Sequence, residues 1–493
     1  MPPYPGGKRP LPFLGHILEL PKEKSWMTFR KWHEMYGPLL TIWNGNTPTV
    51  LIGDAGSISS QGKTILFATY GERWRAYRKA IHLGTSQKAV DSYLPIFENE
   101  GKVLAADFLN NPDGWYQNIF RYTASAVVAI TYGRRIVDLD KDAAYQKLAE
   151  TVGFQIKMNV PGAQCKREEN DCDNLGHETF PVLRHLPAWM NETKRKAIEF
   201  RTLGRGNFAA LVNEVRNKLA TGNIPDSSLI ADSYTKKMLE SRLKFAELDE
   251  IEFNQQPGSL FAAGVDTTSS TLQSFVLALV LHPEVQAKLH KEMDEIIGHD
   301  RSPTWSDEVK LPYLLAVVKE TLRWRPVAIL GGTPHANTED DVFVYKGKSY
   351  FIPKGTTILA SLWAINMNSE TYPDPNSFNP ERFYNGQEYP SPGGKGHSSF
   401  GWGRRVCPGA YFAERSLYIT TARLAWGFKF EMMKDQSGKD IRPDATMETG
   451  YTSGFNCRPL PFPCKISPRS GVIKSVIEKE LEEALDFLRF YEE

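Results

Sequence analysis

The 493-residue chain has no apolar run long enough to cross a bilayer. The longest, Phe275 to Leu281, falls far short of the about 20 residues a span needs and reads as part of a core helix. Charge imbalance is also missing: 59 basic side chains face 58 acidic ones, a net charge of +1, so no nucleic acid or other polyanion is implied as a partner. Cysteine is scarce. The five (Cys165, Cys172, Cys407, Cys457, Cys464) are odd in number and unevenly spaced, which argues against a disulfide framework and for a reducing compartment. Cys165 and Cys172 have no second pair nearby and read as loop residues rather than metal ligands. There is no internal repeat, and no flavin or dinucleotide domain is visible, so electrons for any redox chemistry must come from outside. The length suits one large domain.

What is present centres on Phe400-Gly-Trp-Gly-Arg-Arg-Val-Cys-Pro-Gly409. Glycines flank Cys407, Arg404 and Arg405 precede it, and the apolar run Ala410 to Trp426 after it reads as a helix. A cysteine at a helix N-terminus feels the dipole and the free amide groups, which favour the thiolate. Pro408 and Gly409 suit the turn into that helix. A soft anionic sulfur held this way is a reagent or a metal ligand.

A second centre is Pro257 to Leu281, read as a helix with Pro257 in its first turn. Within it, Ala262-Ala-Gly-Val-Asp-Thr-Thr-Ser-Ser270 combines small residues, which admit something flat against the backbone, with an acid and a hydroxyl, Asp266 and Thr267. Thr267 can bond back to a carbonyl or leave room for a water. Trp74 and Arg78, four apart in Tyr70-Gly-Glu-Arg-Trp-Arg-Ala-Tyr-Arg78, share a helix face, and so do Glu320 and Arg323, three apart.

These stretches resemble the cytochrome P-450 family. The first fits Phe-x-x-Gly-x-Arg-x-Cys-x-Gly without a mismatch, and the acid-alcohol helix, Trp-x-x-x-Arg, Glu-x-x-Arg and Asn379-Pro-Glu-Arg-Phe383 follow the family's order. The likeness is to fungal members of the O-methylsterigmatocystin oxidoreductase type. It implies a mainly α fold with a small β region and heme b held by the Cys407 thiolate, with Phe400, Arg405 and Gly409 around it. Trp74, Arg78, Arg405 and His335 would face the haem propionates. Asp266 and Thr267 would cross the distal face and relay protons to dioxygen. Glu320, Arg323 and Arg382 would form a buried structural triad. The implied activity is monooxygenation of an apolar small molecule, with an NADPH-cytochrome P-450 reductase supplying electrons. A haem-thiolate isomerase or dehydratase is disfavoured by the Asp266-Thr267 pair. The implied location is the cytosolic face of the endoplasmic reticulum membrane, by way of the anchor that microsomal members carry; a chain complete at its N-terminus would be cytoplasmic.

The remainder divides into a proline-rich lead-in (1–22), the haem-thiolate domain (23–470) and an acidic, amphipathic, peripheral C-terminal helix (471–493). Trp26 to Tyr36, Phe120 to Tyr132, Lys194 to Leu219 and Leu311 to Arg323 read as helices, and Leu39 to Ile52 as a hairpin. Asp340 to Ala360 reads as one small sheet and Thr452 to Asn456 as a hairpin tip near substrate. Two segments depart from the family. Ala55 to Thr69 is Gly/Ser-rich and shorter than its counterpart by on the order of two dozen residues. Gln164 to His177 is a charged insert. Together they raise the alternative of a product that binds haem but is catalytically impaired.

Overall fold

The computed structural model describes residues 11, 15–16, 19, 24–36, 41–44, 47–49, 65–66, 68, 70–158, 187–190, 192–221, 232–333, 335–345, 347–385 and 396–489. The 164–177 insert, most of the 55–69 stretch, most of the lead-in, and Cys165 and Cys172 lie outside these residues.

Helices dominate. They are α1 (Ser25–Tyr36), α2 (Glu72–Thr85), α3 (Gln87–Asp91), α4 (Leu94–Asn110), α5 (Trp115–Tyr132), α6 (Ala143–Met158), α7 (Glu192–Ala220) and α8 (Tyr234–Glu240). There follow α9 (Glu250–Leu281), α10 (Pro283–Ile296), α11 (Pro312–Trp324), α12 (Leu362–Asn366), α13 (Glu381–Tyr384), α14 (Ala410–Gly427) and α15 (Gly471–Leu488).

The 32-residue α9 is the spine, packed on α5, α7 and α14. It starts earlier than the sequence reading has it. Asp249 caps it, its side chain accepting from Glu252 N at 2.8 Å while Glu252 Oε2 accepts from Asp249 N at 3.0 Å. This capping box outranks proline as a start signal. Pro257 therefore lies inside the helix, where it removes the amide that would bond the Phe253 carbonyl. From Thr268 to Leu281 every residue is buried, and α9 runs through the main core with Tyr122, Ala126 and Val127 of α5 and Phe412 and Ile419 of α14. Gly264 lets α9 and α5 close up, since a Cβ there would stand 3.1 Å from Val127 Cγ2.

The described strands form three small sheets. Ile42–Asn44 and Thr47–Thr49 pair as the expected hairpin. Thr357–Ile358 joins that sheet, between Thr49 and His335–Ala336, rather than the separate Asp341–Tyr345/Lys348–Ile352 hairpin. The single sheet expected across 340–360 is thus two. A third sheet pairs Phe428–Lys434 with Cys464–Pro468 and with Asp440–Ile441.

The helix read as peripheral is not so. Ile473, Ile477, Ala484 and Leu488 of α15 enter the main core against α4, and Ile477 Cδ1 would meet a Cβ on Gly427 at 3.4 Å. Glu480 accepts from Arg423 Nη1 of α14 at 2.9 Å and from Ser302 Oγ at 2.7 Å.

Candidate functional site

Residues 396–409 make a tight approach to α14. Gly401 (φ 67°) and Gly403 (φ 64°) take left-handed conformations that side chains disfavour, which lets the chain fold back so that Cys407 N donates to Phe400 O at 2.9 Å. Ser399 Oγ ties the loop to α11 through Leu322 O at 2.8 Å. Cys407 is exposed, three residues before α14 begins, and a Cβ on Gly409 would touch its sulfur at 3.9 Å. The other described cysteines are buried, and burial pushes the Cys464 thiol up to about 12 and the Cys457 thiol further still. Neither suits a thiolate ligand; Cys407 does.

Cations gather beside that loop. Arg78, on the half-buried side of α2, donates from Nη1 to Val406 O at 2.7 Å. Burial lowers its pKa, and the Cys407 sulfur opposes that fall. The Arg405 guanidinium lies 4.7 Å from the Trp74 ring centroid, and its Nη2 donates to Ala68 O at 2.8 Å. Burial and then Arg78 lower the Arg405 pKa; burial and then Arg405 lower that of His335, which opens its strand. The structure thus brings together Trp74, Arg78, Arg405 and His335, from segments up to about three hundred residues apart, with Arg78 lowering Arg405 and Arg405 lowering His335. A ligand bearing two carboxylates would relieve that repulsion, so these residues fit haem.

On α9, Ala263 is exposed and Ala262, Gly264 and Thr267 are half-buried, while Phe261, Val265 and Asp266 are buried. This is a short, small-sided strip on an otherwise covered helix, suited to a flat ligand. Thr267 Oγ1 bonds back to Ala263 O at 2.6 Å, as its sequence position allows. Asp266 points elsewhere. Its Oδ1 accepts from Arg458 Nη1 at 2.7 Å and its Oδ2 from Asn456 Nδ2 at 2.7 Å, so both carboxylate oxygens face the 452–458 turn.

Behind the loop, Glu320, Arg323 and Arg382 lie together. Glu320 and Arg323 are fully buried, joined by Arg323 Nε to Oε2 and Nη2 to Oε1, each at 2.7 Å. The remaining guanidinium hydrogens go to the carbonyls of Asn366, Pro375 and Ser377, which accounts for all five. Arg382 Nε lies 3.4 Å from Glu320 Oε1, and Asn379 N donates to the same oxygen at 2.8 Å.

Sequence reasoning missed three pairings. Asn456 and Arg458 carry no local signal, because their partner is 190 and 192 residues away. Glu252, buried on α9, takes Arg73 and Tyr77 of α2, the latter at 2.6 Å. Glu100, buried on α4, accepts from Arg121 and Arg135 at 2.8 Å and from Ser125 at 2.6 Å. Only the Asp249–Glu252 spacing could have been found beforehand, as a capping box.

The family model for cytochrome P-450 matches residues 5–60 and 54–451, two segments that meet at the Gly/Ser-rich stretch. Cytochrome P-450 monooxygenase 58 of Postia placenta is 33% identical over 500 residues, covering 96% of this chain and 90% of its own. Cytochrome P-450 monooxygenase patI of Penicillium expansum is 31% identical over 515 residues, covering 99% and 93%. A zebra fish cytochrome P-450 solved with abiraterone superposes with a TM-score of 0.67 at 22% identity, over 90% of this chain and all of that one, which speaks to the fold. The chain belongs to the cytochrome P-450 family and is a monooxygenase that carries haem on a cysteine thiolate.

Proposed function

We propose that Cys407 is the haem ligand and that the chain hydroxylates an apolar small molecule, as a fungal-type enzyme of secondary metabolism. The observation that carries the assignment is the exposed Cys407 beside Arg78, against two deeply buried cysteines. Thiolate-held haem supplies the activation of dioxygen and the transfer of one oxygen atom. The protein's own residues do the rest. Trp74, Arg78, His335 and Arg405 hold the carboxylate edge. Phe400 and Gly409 shape the sulfur's surroundings. Thr267 presents a hydroxyl at the open strip of α9, and Asp266 stands next to it as the acid of the proton route. Glu320, Arg323 and Arg382 keep the segment leading to Cys407 in place and touch no reactant.

An NADPH-cytochrome P-450 reductase is the expected electron donor. None of the described helices is long and apolar enough to cross a membrane; the cytosolic face of the endoplasmic reticulum membrane is the location the family likeness supports. The test is the carbon monoxide difference spectrum of the reduced protein. The wild type and Cys464→Ser should show the thiolate Soret band, and Cys407→Ser should lose it. A normal band without NADPH-driven oxygen consumption in the presence of reductase would favour the alternative, a haem-binding but impaired product of the short 54–70 segment and the 164–177 insert. An unchanged thiolate band in Cys407→Ser overturns the ligand assignment.

A further inference from the structure

Lys24 is one of two described residues other than glycine with a positive φ, at 54°. A lysine gains nothing from that conformation, so other contacts hold it there. It stands at the entry to α1, where its carbonyl accepts from Met27 N at 3.0 Å. Its side chain leaves the helix and reaches residues 423 to 427 positions away. There Nζ donates to Met447 O at 3.1 Å, to Tyr451 O at 2.9 Å and to Glu448 O, which uses all three ammonium hydrogens. Its partners are carbonyls, and no described carboxylate pairs with it.

The receiving turn is organised by its own residues. Asp444 Oδ1 accepts from Thr446 N at 2.8 Å and from Thr446 Oγ1 at 2.7 Å, and Asp444 Oδ2 accepts from Thr449 Oγ1. Gly450 N closes one helical turn onto Thr446 O at 2.9 Å, and a Cβ on Gly450 would strike Asp444 O at 2.1 Å. The carboxylate is thereby spent inside the turn, while the carbonyls of Met447, Glu448 and Tyr451 converge on one point outside it. Carbonyls at the end of a helical turn carry the negative end of the peptide dipoles and favour a cation. A second cation serves the same stretch: Arg325 Nη2 donates to Ala445 O at 2.6 Å.

We infer that the 444–451 turn is a binding site for a small monovalent cation, of the primary-ammonium or potassium class, and that the chain fills it with its own Lys24. Carbonyl oxygens that converge on one point replace the hydration shell of such an ion. Here the occupant is tethered, so filling the site also docks the start of α1 onto a turn near the other end of the chain. The three charge-assisted bonds offset the backbone strain at Lys24. The docked helix carries Trp26, Phe29 and Trp32 into the main core. The inference does not rest on the haem ligand or on the role proposed for Asp266.

The experiment follows deuterium exchange of the α1 amides in the full haem-loaded chain. Lys24→Ala removes the equivalent of one propylammonium ion. Its α1 amides should exchange about 10- to 100-fold faster than those of the wild type. Adding n-propylammonium chloride should restore most of the lost protection. Tetramethylammonium chloride at equal concentration, which has no N–H and is too large for the carbonyls to close on, should restore none. The wild type, whose site is filled, should respond to neither salt. Rubidium soaked into crystals of Lys24→Ala should give an anomalous peak against the carbonyls of Met447, Glu448 and Tyr451. Unchanged α1 exchange in Lys24→Ala overturns the inference, and so does equal rescue by the two salts or a rubidium map empty at those carbonyls. If Lys24→Ala does not fold, Lys24→Met keeps the apolar stem without the charge, and ammonium chloride takes the place of the propylammonium salt. Protection there that ammonium does not raise above the tetramethylammonium control is equally fatal.

Discussion

The Arg405 guanidinium stacks on the indole of Trp74, 4.7 Å from its ring centroid, so that the Cys407 loop and helix α2 meet through a cation resting on an aromatic face. Arginine suits this contact because its planar fork stacks and still directs hydrogen bonds outward; lysine does neither as well. Arg405→Leu should weaken haem retention by about 10- to 100-fold, the equivalent of one or two charge-assisted bonds, and Arg405→Lys should recover only part of it. The haem-to-protein ratio after purification and the rate of haem transfer to apomyoglobin would show this.

The triad behind the loop makes a different prediction. Glu320→Ala leaves Arg323, which is fully buried, with its carboxylate gone. Removing one partner of a buried pair costs about 3–5 kcal/mol. The variant should accumulate as haem-free or insoluble protein rather than as a folded enzyme with altered kinetics. Glu320→Asp, whose carboxylate keeps the charge but is one methylene short, should be intermediate in its denaturant midpoint.

Acid sensitivity should come in part from His290. Its Nε2 lies 3.1 Å from Phe428 O, and burial, then Arg469, push its pKa from 6.5 down to about 4. Between those values the unfolded chain holds the extra proton and the folded chain does not. Stability from this group is therefore complete above about pH 6.5 and is lost as pH falls toward about 4. His290→Gln should flatten the unfolding midpoint against pH across that window.

Helix α15 should prove indispensable. Arg423 is 2% exposed at its side chain and is met by Glu480 at 2.9 Å and by Glu98 at 3.5 Å. Glu480→Ala should lower the unfolding free energy by about 1–3 kcal/mol, since Glu98 and water compensate in part. A chain cut before Gly471 loses the burial of Ile473, Ile477 and Leu488, worth about 1.5–3 kcal/mol each, and should not fold. Limited proteolysis and thermal unfolding would measure both.

What the sequence makes legible here is local. Cys407 with its glycines, the small residues before Asp266, and Glu320 three residues before Arg323 are read from spacing along one element, because turn geometry and helix pitch translate spacing directly into space. The Trp74–Arg78 pair belongs to the same kind. The losses share a different cause. Pro257 suggests a helix start, but the Asp249–Glu252 box supplies one a full two turns earlier. Thr357–Ile358 pairs with Thr49 and His335, partners chosen by the tertiary fold and not by its neighbours along the chain. The charged face of α15 suggested a solvent-bound helix, yet Glu480 on that face turns inward to Arg423. The partners of Asp266 fall in this group as well.

The place of α15 against α4 and α14 has a bearing on biogenesis. Helix α14, which follows the cysteine loop, is covered in part by residues 471–488, synthesised after the loop itself. Cofactor capture must then wait until those residues have cleared the ribosomal tunnel, and nascent chains arrested before residue 471 should emerge without haem.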